Sequence, residues 1–265
     1  MTETNPQHPE QDAEPRELIV VEPPIDHVAT IRLNQPPNNF FSVGLIESIA
    51  DALEELDDVD DARCVVLAAQ GKHFCAGADF SGSREDTTAD LYLAAARLFG
   101  TRKPIVAAVQ GAAIGGGLGL ALAADFRFGA PESRLSANFA RLGFHHGFGL
   151  SVTLPRLVGQ QHAAELLYTG RRLDGAAAAT IGLLDQMVPL AELDAAAHAF
   201  AAEIAGSAPL AVESIRATLR SGLAAEIEAA TDHEMAEQTR LRATSDFAEG
   251  TRAMAERRPP NFERR

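Results

Sequence analysis

The sequence predicts an α/β protein, and three observations carry that prediction. Two apolar runs of strand length, Cys64–Ala69 (CVVLAA) and residues 105–110 (IVAAVQ), each lead into a glycine-bearing loop and then a helical pattern. Such alternation continues through most of the chain before a long helical end, which argues for helices packed on a sheet. At 265 residues and 46% hydrophobic composition, the chain can bury one large core with an appendage.

Taken in order, residues 1–16 (MTETNPQHPEQDAEPR) are polar, proline-bearing and acidic. They lack the apolar centre of a signal peptide and are expected to form a disordered leader. Residues 17–21 and 28–33 read as a hairpin, with Pro23 and Pro24 as its turn. Residues 34–41 (NQPPNNFF) are loop chemistry. Ser42 then caps a helix whose Val43, Ile46, Ile49, Ala50, Leu53 and Leu56 share one face. After Cys64–Ala69 comes the first glycine loop, residues 71–80 (GKHFCAGADF), and a short polar loop at 81–86 (SGSRED). Thr87 or Thr88 caps the next helix, which runs to Phe99 and stops at Gly100.

Residues 105–125 are the centre of the pattern: a strand, the turn GAAIGGG, and a helix at 118–124 that is apolar almost all round and so buried. A strand at 125–129 follows. Helical patterns then cover 160–168 (closed by Gly170), 175–181 and 192–205, with a strand-like LLDQMV between the last two. From Pro209 the pattern is almost wholly helical.

Net charge is −14, which argues against nucleic acid or an anionic membrane as a general partner. Any phosphorylated ligand must therefore meet a local patch of Lys and Arg. No apolar run approaches membrane-spanning length. Cys64 and Cys75 form no metal or redox pattern, which suits a reducing, cytoplasmic setting, and no metal site is expected. There is no P-loop and no GxSxG elbow; GGGLGL does not fit a dinucleotide fingerprint, and His233-Glu234 lacks a second zinc histidine.

The chemistry lies in the two glycine loops. A glycine turn opening a helix leaves backbone N–H groups without intrahelical partners and lets a ligand approach the backbone. The helix dipole adds positive potential there. Two such loops supply two donors to one oxygen, which is what an oxyanion hole requires.

FCAGAD and GxxxGGG, together with LNQPPNN, LPRLVGQ, YTGRRLDGAAA and DFAEGTRAMAERRPPNF in this order, closely resemble the crotonase (enoyl-CoA hydratase/isomerase) superfamily. The resemblance spans about residues 17–262. It implies a spiral of β-β-α turns forming an acyl-CoA-binding core over residues 17–205. A C-terminal helical region, 206–265, would mediate assembly into a trimer or dimer of trimers. The implied ligand is a coenzyme A thioester, with no permanently bound cofactor. Its carbonyl oxygen would sit between the backbone N–H groups of Ala78 and Gly116. Cys75, Ala76, Gly77, Ala78, Asp79 and Phe80, with Gly115 and Gly116, would line the coenzyme and thioester. Lys72, Arg84, and Arg257 or Arg258 are candidate phosphate partners, and Asp79 has a structural part in the loop.

The sequence departs from the family at the chemistry itself. The resemblance places the two glutamates of the hydratases at Gly119 and Phe139, neither of which can carry a proton. His145 and His146 stand where Ile-Pro is usual and are candidate acid–base groups near neutral pH. Glu85, Asp86 and Asp90 are further candidates, and Phe139, Phe144 and Phe148 suit a bulky or ring-bearing acyl group. Two readings stay open. One is an enzyme of isomerase, hydrolase or divergent hydratase type; the other is a non-catalytic acyl-CoA-binding or carrier protein.

Overall fold

A computed structural model describes residues 17–78 and 88–265. A six-stranded sheet is built from β1 (Ile19–Ile25), β2 (Val28–Leu33), β3 (Cys64–Ala69), β4 (Ile105–Val109), β6 (Phe126–Gly129) and β9 (Gln186–Met187), side by side in that order. Within this sheet, among the described residues, only the β1–β2 pair is antiparallel. A second sheet of β5 (Ala112–Ile114), β7 (Arg134–Ser136) and β8 (Leu173–Asp174) stands beside it. The helices are α1 (Val43–Asp57), α2 (Thr88–Gly100), α3 (Gly116–Ala123), α4 (Leu150–Thr169), α5 (Gly175–Thr180), α6 (Leu193–Ala205), α7 (Pro209–Leu219), α8 (Leu223–Arg242) and α9 (Ser245–Ala255).

Most of the expected elements are present. Ser42 accepts a hydrogen bond from the Leu45 N–H and starts α1. β3 and β4 are buried throughout, as parallel strands covered on both faces must be. Gly170 closes α4 in the left-handed conformation. The hairpin turn differs from expectation. β1 continues through Pro23 and Pro24, and the reversal falls at Asp26 and His27, with φ of 52° and 63°. An edge strand tolerates proline, and a two-residue turn with both φ positive matches the strand twist.

The core divides between the two faces of the large sheet. α1, α2 and α3 pack on one side around Ile46, Ile49, Leu98 and Leu120, all buried. On the other, α6 lays Leu193, Ala197, Ala201 and Ala205 against Val66, Val106 and Phe128. α7 is tied to the sheet by a buried ionic cluster. Asp125 accepts from Arg216 Nε at 2.9 Å, Arg220 Nη1 at 2.7 Å and the Ile105 N–H at 2.8 Å. α8 then lies along α2 and α4, and α9 covers the 3-10 turn at Asn138–Leu142. Among the described residues no single helix is long and apolar enough to cross a membrane.

Candidate active site

The two glycine loops are laced together by backbone hydrogen bonds. Phe74 N–H donates to Gln110 O (2.8 Å), Cys75 N–H to Ala112 O (2.9 Å), and Ile114 N–H to Cys75 O (3.0 Å). The NQPPNNFF loop shores up the first of them. Asn39, fully buried, donates to Gln70 O and His73 O, while Ala76 N–H reaches Asn38 O and Phe41 N–H reaches Gly77 O. Ala78 and Gly116 thereby line one cavity, and neither N–H finds an acceptor among the described residues. At Gly116, the first residue of α3, an unpaired N–H is the normal state of a helix start.

The glycine triplet is dictated by close approach. A Cβ on Gly117 would lie 2.3 Å from Cys75 O, and one on Gly116 would lie 2.8 Å from the Phe41 ring. Gly115 turns the chain with a φ of 57°. α3 itself is buried on every side from Gly117 onward, so its start is held rigidly against the loop.

The cavity has a volume of about 230 Å³. Its walls are mainly apolar, with Phe41, Phe139, Phe144 and Phe148 around the glycine backbone. The Phe41 and Phe148 rings meet edge to face at 5.1 Å, and Phe139 and Phe144 lie 5.4 Å apart. Phe148 also covers Gly119, whose Cβ would fall 2.5 Å from the ring and 2.8 Å from its Cβ. Both positions where the resemblance implies a hydratase carboxylate are thus filled by phenyl groups.

His145 and His146 are brought together with each other, their rings stacked at 4.1 Å, but neither lines the cavity. His146 belongs instead to a chain of hydrogen bonds reaching α8. Its Nε2 lies 2.8 Å from Ser151 Oγ, and that hydroxyl donates to Glu234 at 2.7 Å. With the serine proton committed to Glu234, His146 Nε2 is the donor, and Ser151 is not activated as a nucleophile. Glu234, fully buried, also accepts from the Gly149 and Ser151 N–H groups and so caps α4. Burial pushes the Glu234 carboxyl up, although its hydrogen-bond donors oppose this. His146 is pushed down to about 4 by burial and then by His145 and His233.

Of the remaining candidates, Asp90 is exposed in the first turn of α2. Asp79, Phe80, Arg84, Glu85 and Asp86 lie outside the described residues. A second cavity of about 800 Å³ shares Ile114, Asn138, Leu142, Arg172 and Met254 with the first, and adds Arg141, Arg257 and Arg258. Arg172 and Arg257 make no ion pair among the described residues, whereas Arg258 is held by Glu249 and Glu256. Burial lowers the pKa of His73, and the Lys72 and Arg172 cations lower it further, a sign of local positive potential in an acidic chain. Among the described residues no group of His, Cys, Asp or Glu is placed to hold a metal ion.

Sequence reading missed Tyr92, Arg172, Gln238, Arg242 and Met254, all of which line the first cavity. Thr231, Glu234 and Gln238 are buried polar residues along one side of α8, where apolar periodicity gives no signal.

Two laced glycine loops presenting paired N–H groups to an apolar cavity form the class of site that can hold an oxygen gaining negative charge. The enoyl-CoA hydratase/isomerase family profile matches residues 25–265. A probable enoyl-CoA hydratase, EchA12, of Mycobacterium tuberculosis H37Rv is 36% identical over 270 residues, covering 92% of each chain. The putative enoyl-CoA hydratase/isomerase YngF of Bacillus subtilis is 33% identical over 88% of this chain and 93% of its own. The crystal structure of an enoyl-CoA hydratase/isomerase from Pseudoalteromonas atlantica T6c superposes with a TM-score of 0.82 at 29% identity, covering 93% of this chain and all of that one. The chain belongs to the enoyl-CoA hydratase/isomerase family, whose members act on coenzyme A thioesters, and it has the crotonase fold.

Proposed function

We propose that this chain binds acyl-CoA thioesters with the carbonyl oxygen between the Ala78 and Gly116 N–H groups. It processes them without two-carboxylate hydration, as an isomerase, a hydrolase or a divergent hydratase. The observation that carries this reading is the pairing of an open N–H pair with phenyl rings at Phe139 and over Gly119. Two donors stabilise an enolate or tetrahedral oxyanion, each worth ~3–4 kcal/mol at the transition state. The thioester and pantetheine follow residues 75–80 and Gly115, and the coenzyme's phosphates fall to the arginine-lined second cavity and Lys72. The acid–base group then comes from Glu85, Asp86, Asp90, His145 or His146. Leu210, Ile215 and Leu219, exposed on α7, support a homotrimer or dimer of trimers assembled through the C-terminal helices.

A second reading, a carrier that binds acyl-CoA without turnover, is favoured by one observation. Among the described residues, no carboxylate or imidazole lines the acyl cavity.

Crotonyl-CoA hydration, followed by loss of enoyl-thioester absorbance, tests the first reading. It is expected to run roughly 100- to 10,000-fold below a two-glutamate hydratase, the usual contribution of placed acid–base groups. Comparable turnover would refute the assignment at Gly119 and Phe139. A thioether analogue lacking the carbonyl is expected to bind about tenfold more weakly than the thioester, and equal affinity would refute the oxyanion placement. Exchange of acyl α-protons into heavy water would favour the enzyme; binding without exchange would favour the carrier.

A further inference from the structure

The acyl cavity is not wholly apolar, and its polar groups converge. Tyr92 from α2 and Gln238 from α8 both line it. Both also crowd one point beside Gly147, where an added Cβ would lie 1.9 Å from Tyr92 Oη and 2.7 Å from Gln238 Nε2. The Tyr92 hydroxyl proton has no acceptor among the described residues. Gln238 gives one amide hydrogen to His145 O at 3.0 Å, and its Oε1 accepts from Arg242 Nη2 at 3.3 Å. The second amide hydrogen of Gln238 has no acceptor among the described residues either.

The cavity thus holds two donor hydrogens close together, on a phenol and an amide. A plain hydrocarbon chain would leave both unpaired, which disfavours its binding. We infer that Tyr92, with Gln238, is a specificity-determining residue that selects acyl groups carrying an oxygen acceptor beyond the thioester, the oxoacyl and hydroxyacyl class. This rests on the acyl-CoA reading above and names which acyl groups that site takes. Burial and the neighbouring Glu234 charge raise the Tyr92 pKa, so the phenol keeps its proton to donate at neutral pH.

The test uses hexanoyl-CoA, 3-oxohexanoyl-CoA, 3-hydroxyhexanoyl-CoA and 5-oxohexanoyl-CoA in calorimetric titrations of the full chain. At least one oxygenated ligand is expected to bind tenfold or more tightly than hexanoyl-CoA, by the selectivity of sites built around a polar group. Tyr92→Phe is expected to bring that ratio to within about twofold, by weakening the oxygenated ligand and by letting hexanoyl-CoA bind at least as tightly as to the wild type, since the hydroxyl it leaves unpaired is gone. No preference in the wild type, or a preference that survives in Tyr92→Phe, would overturn the proposal. If hexanoyl-CoA fails to bind while an oxygenated ligand binds, the selectivity stands in its extreme form; if none of the four binds, the acyl-CoA reading itself falls.

A second readout needs no variant. The chain has no tryptophan and two tyrosines, and Tyr168 is 81% exposed, remote in environment from the buried Tyr92. Ultraviolet difference absorbance therefore reports on Tyr92, and a red shift of the phenol band is expected with the oxygenated ligand and not with hexanoyl-CoA. An identical spectrum with both would overturn the assignment.

Discussion

Replacing Gly119 by alanine adds one methyl to α3 at the point where Phe148 lies over it. By helix propensity alone the change is stabilising, by about 0.5–1 kcal/mol. The new Cβ, however, would sit 2.5 to 2.9 Å from three atoms of Phe148, including its Cβ, so rotation of the ring alone gives no relief. Phe148 is itself buried and held in a left-handed conformation, with a φ of 63°. Overpacking of this kind costs about 1–3 kcal/mol. The net expectation for Gly119→Ala is a loss of about 1–2 kcal/mol, or a fall in melting temperature of roughly 2–8 °C for a chain of this size. Urea unfolding of the wild type, Gly119→Ala, Phe148→Ala and the double variant would measure the coupling between the two positions, expected near 2 kcal/mol. In the Phe148→Ala background the two ring contacts are gone and only the Cβ contact remains, so the same methyl should cost clearly less than in the wild type. A stabilised Gly119→Ala with Phe148 in place would show that the position is open, and that a carboxylate there is excluded by sequence alone and not by space.

Two further outcomes follow from buried charge. His146 is held near 4 in the fold against 6.5 when free, so its contribution to stability is complete above about pH 6.5 and is lost as pH falls toward 4. His146→Gln is expected to flatten that acid-side fall by about 2–3 kcal/mol, read from urea midpoints across the pH range; an unchanged slope would refute the assignment. Glu234, pushed up by burial, acts in the opposite sense, so the comparison is made between variant and wild type at each pH. Asp125→Ala leaves Arg216 and Arg220 facing each other without their shared carboxylate and should cost about 3–5 kcal/mol, while a loss below 1 kcal/mol would mean that α7 is held by its apolar contacts.

What was legible in the sequence, and what was not, divides along physical lines. β3, β4, α1 and α3 announce themselves because each has one environment along its whole length, buried throughout or apolar on one face. The Asp26-His27 turn was masked by Pro23 and Pro24, stronger turn signals that an edge strand happens to accommodate. β5, β7 and β8 are two or three residues long, too short for any period to show. The two glycine loops could be found because glycine spacing encodes backbone shape, whereas Ala78 and Gly116 within them come from the family resemblance. Tyr92 and Gln238 could not, because their meeting depends on how α8 lies across α2, which no local pattern records.

The cavity wall draws on residues from Phe41 to Met254, near the two ends of the described chain. Domains begin folding from the N-terminus while synthesis proceeds at roughly 5–20 residues per second. In this chain the sheet and both glycine loops can assemble early, but the pocket has no outer wall until α8 and α9 emerge. A nascent or C-terminally clipped chain would present the Phe41, Phe139 and Phe148 surface to other hydrophobic partners. Protection from aggregation therefore rests with the last helices to be made.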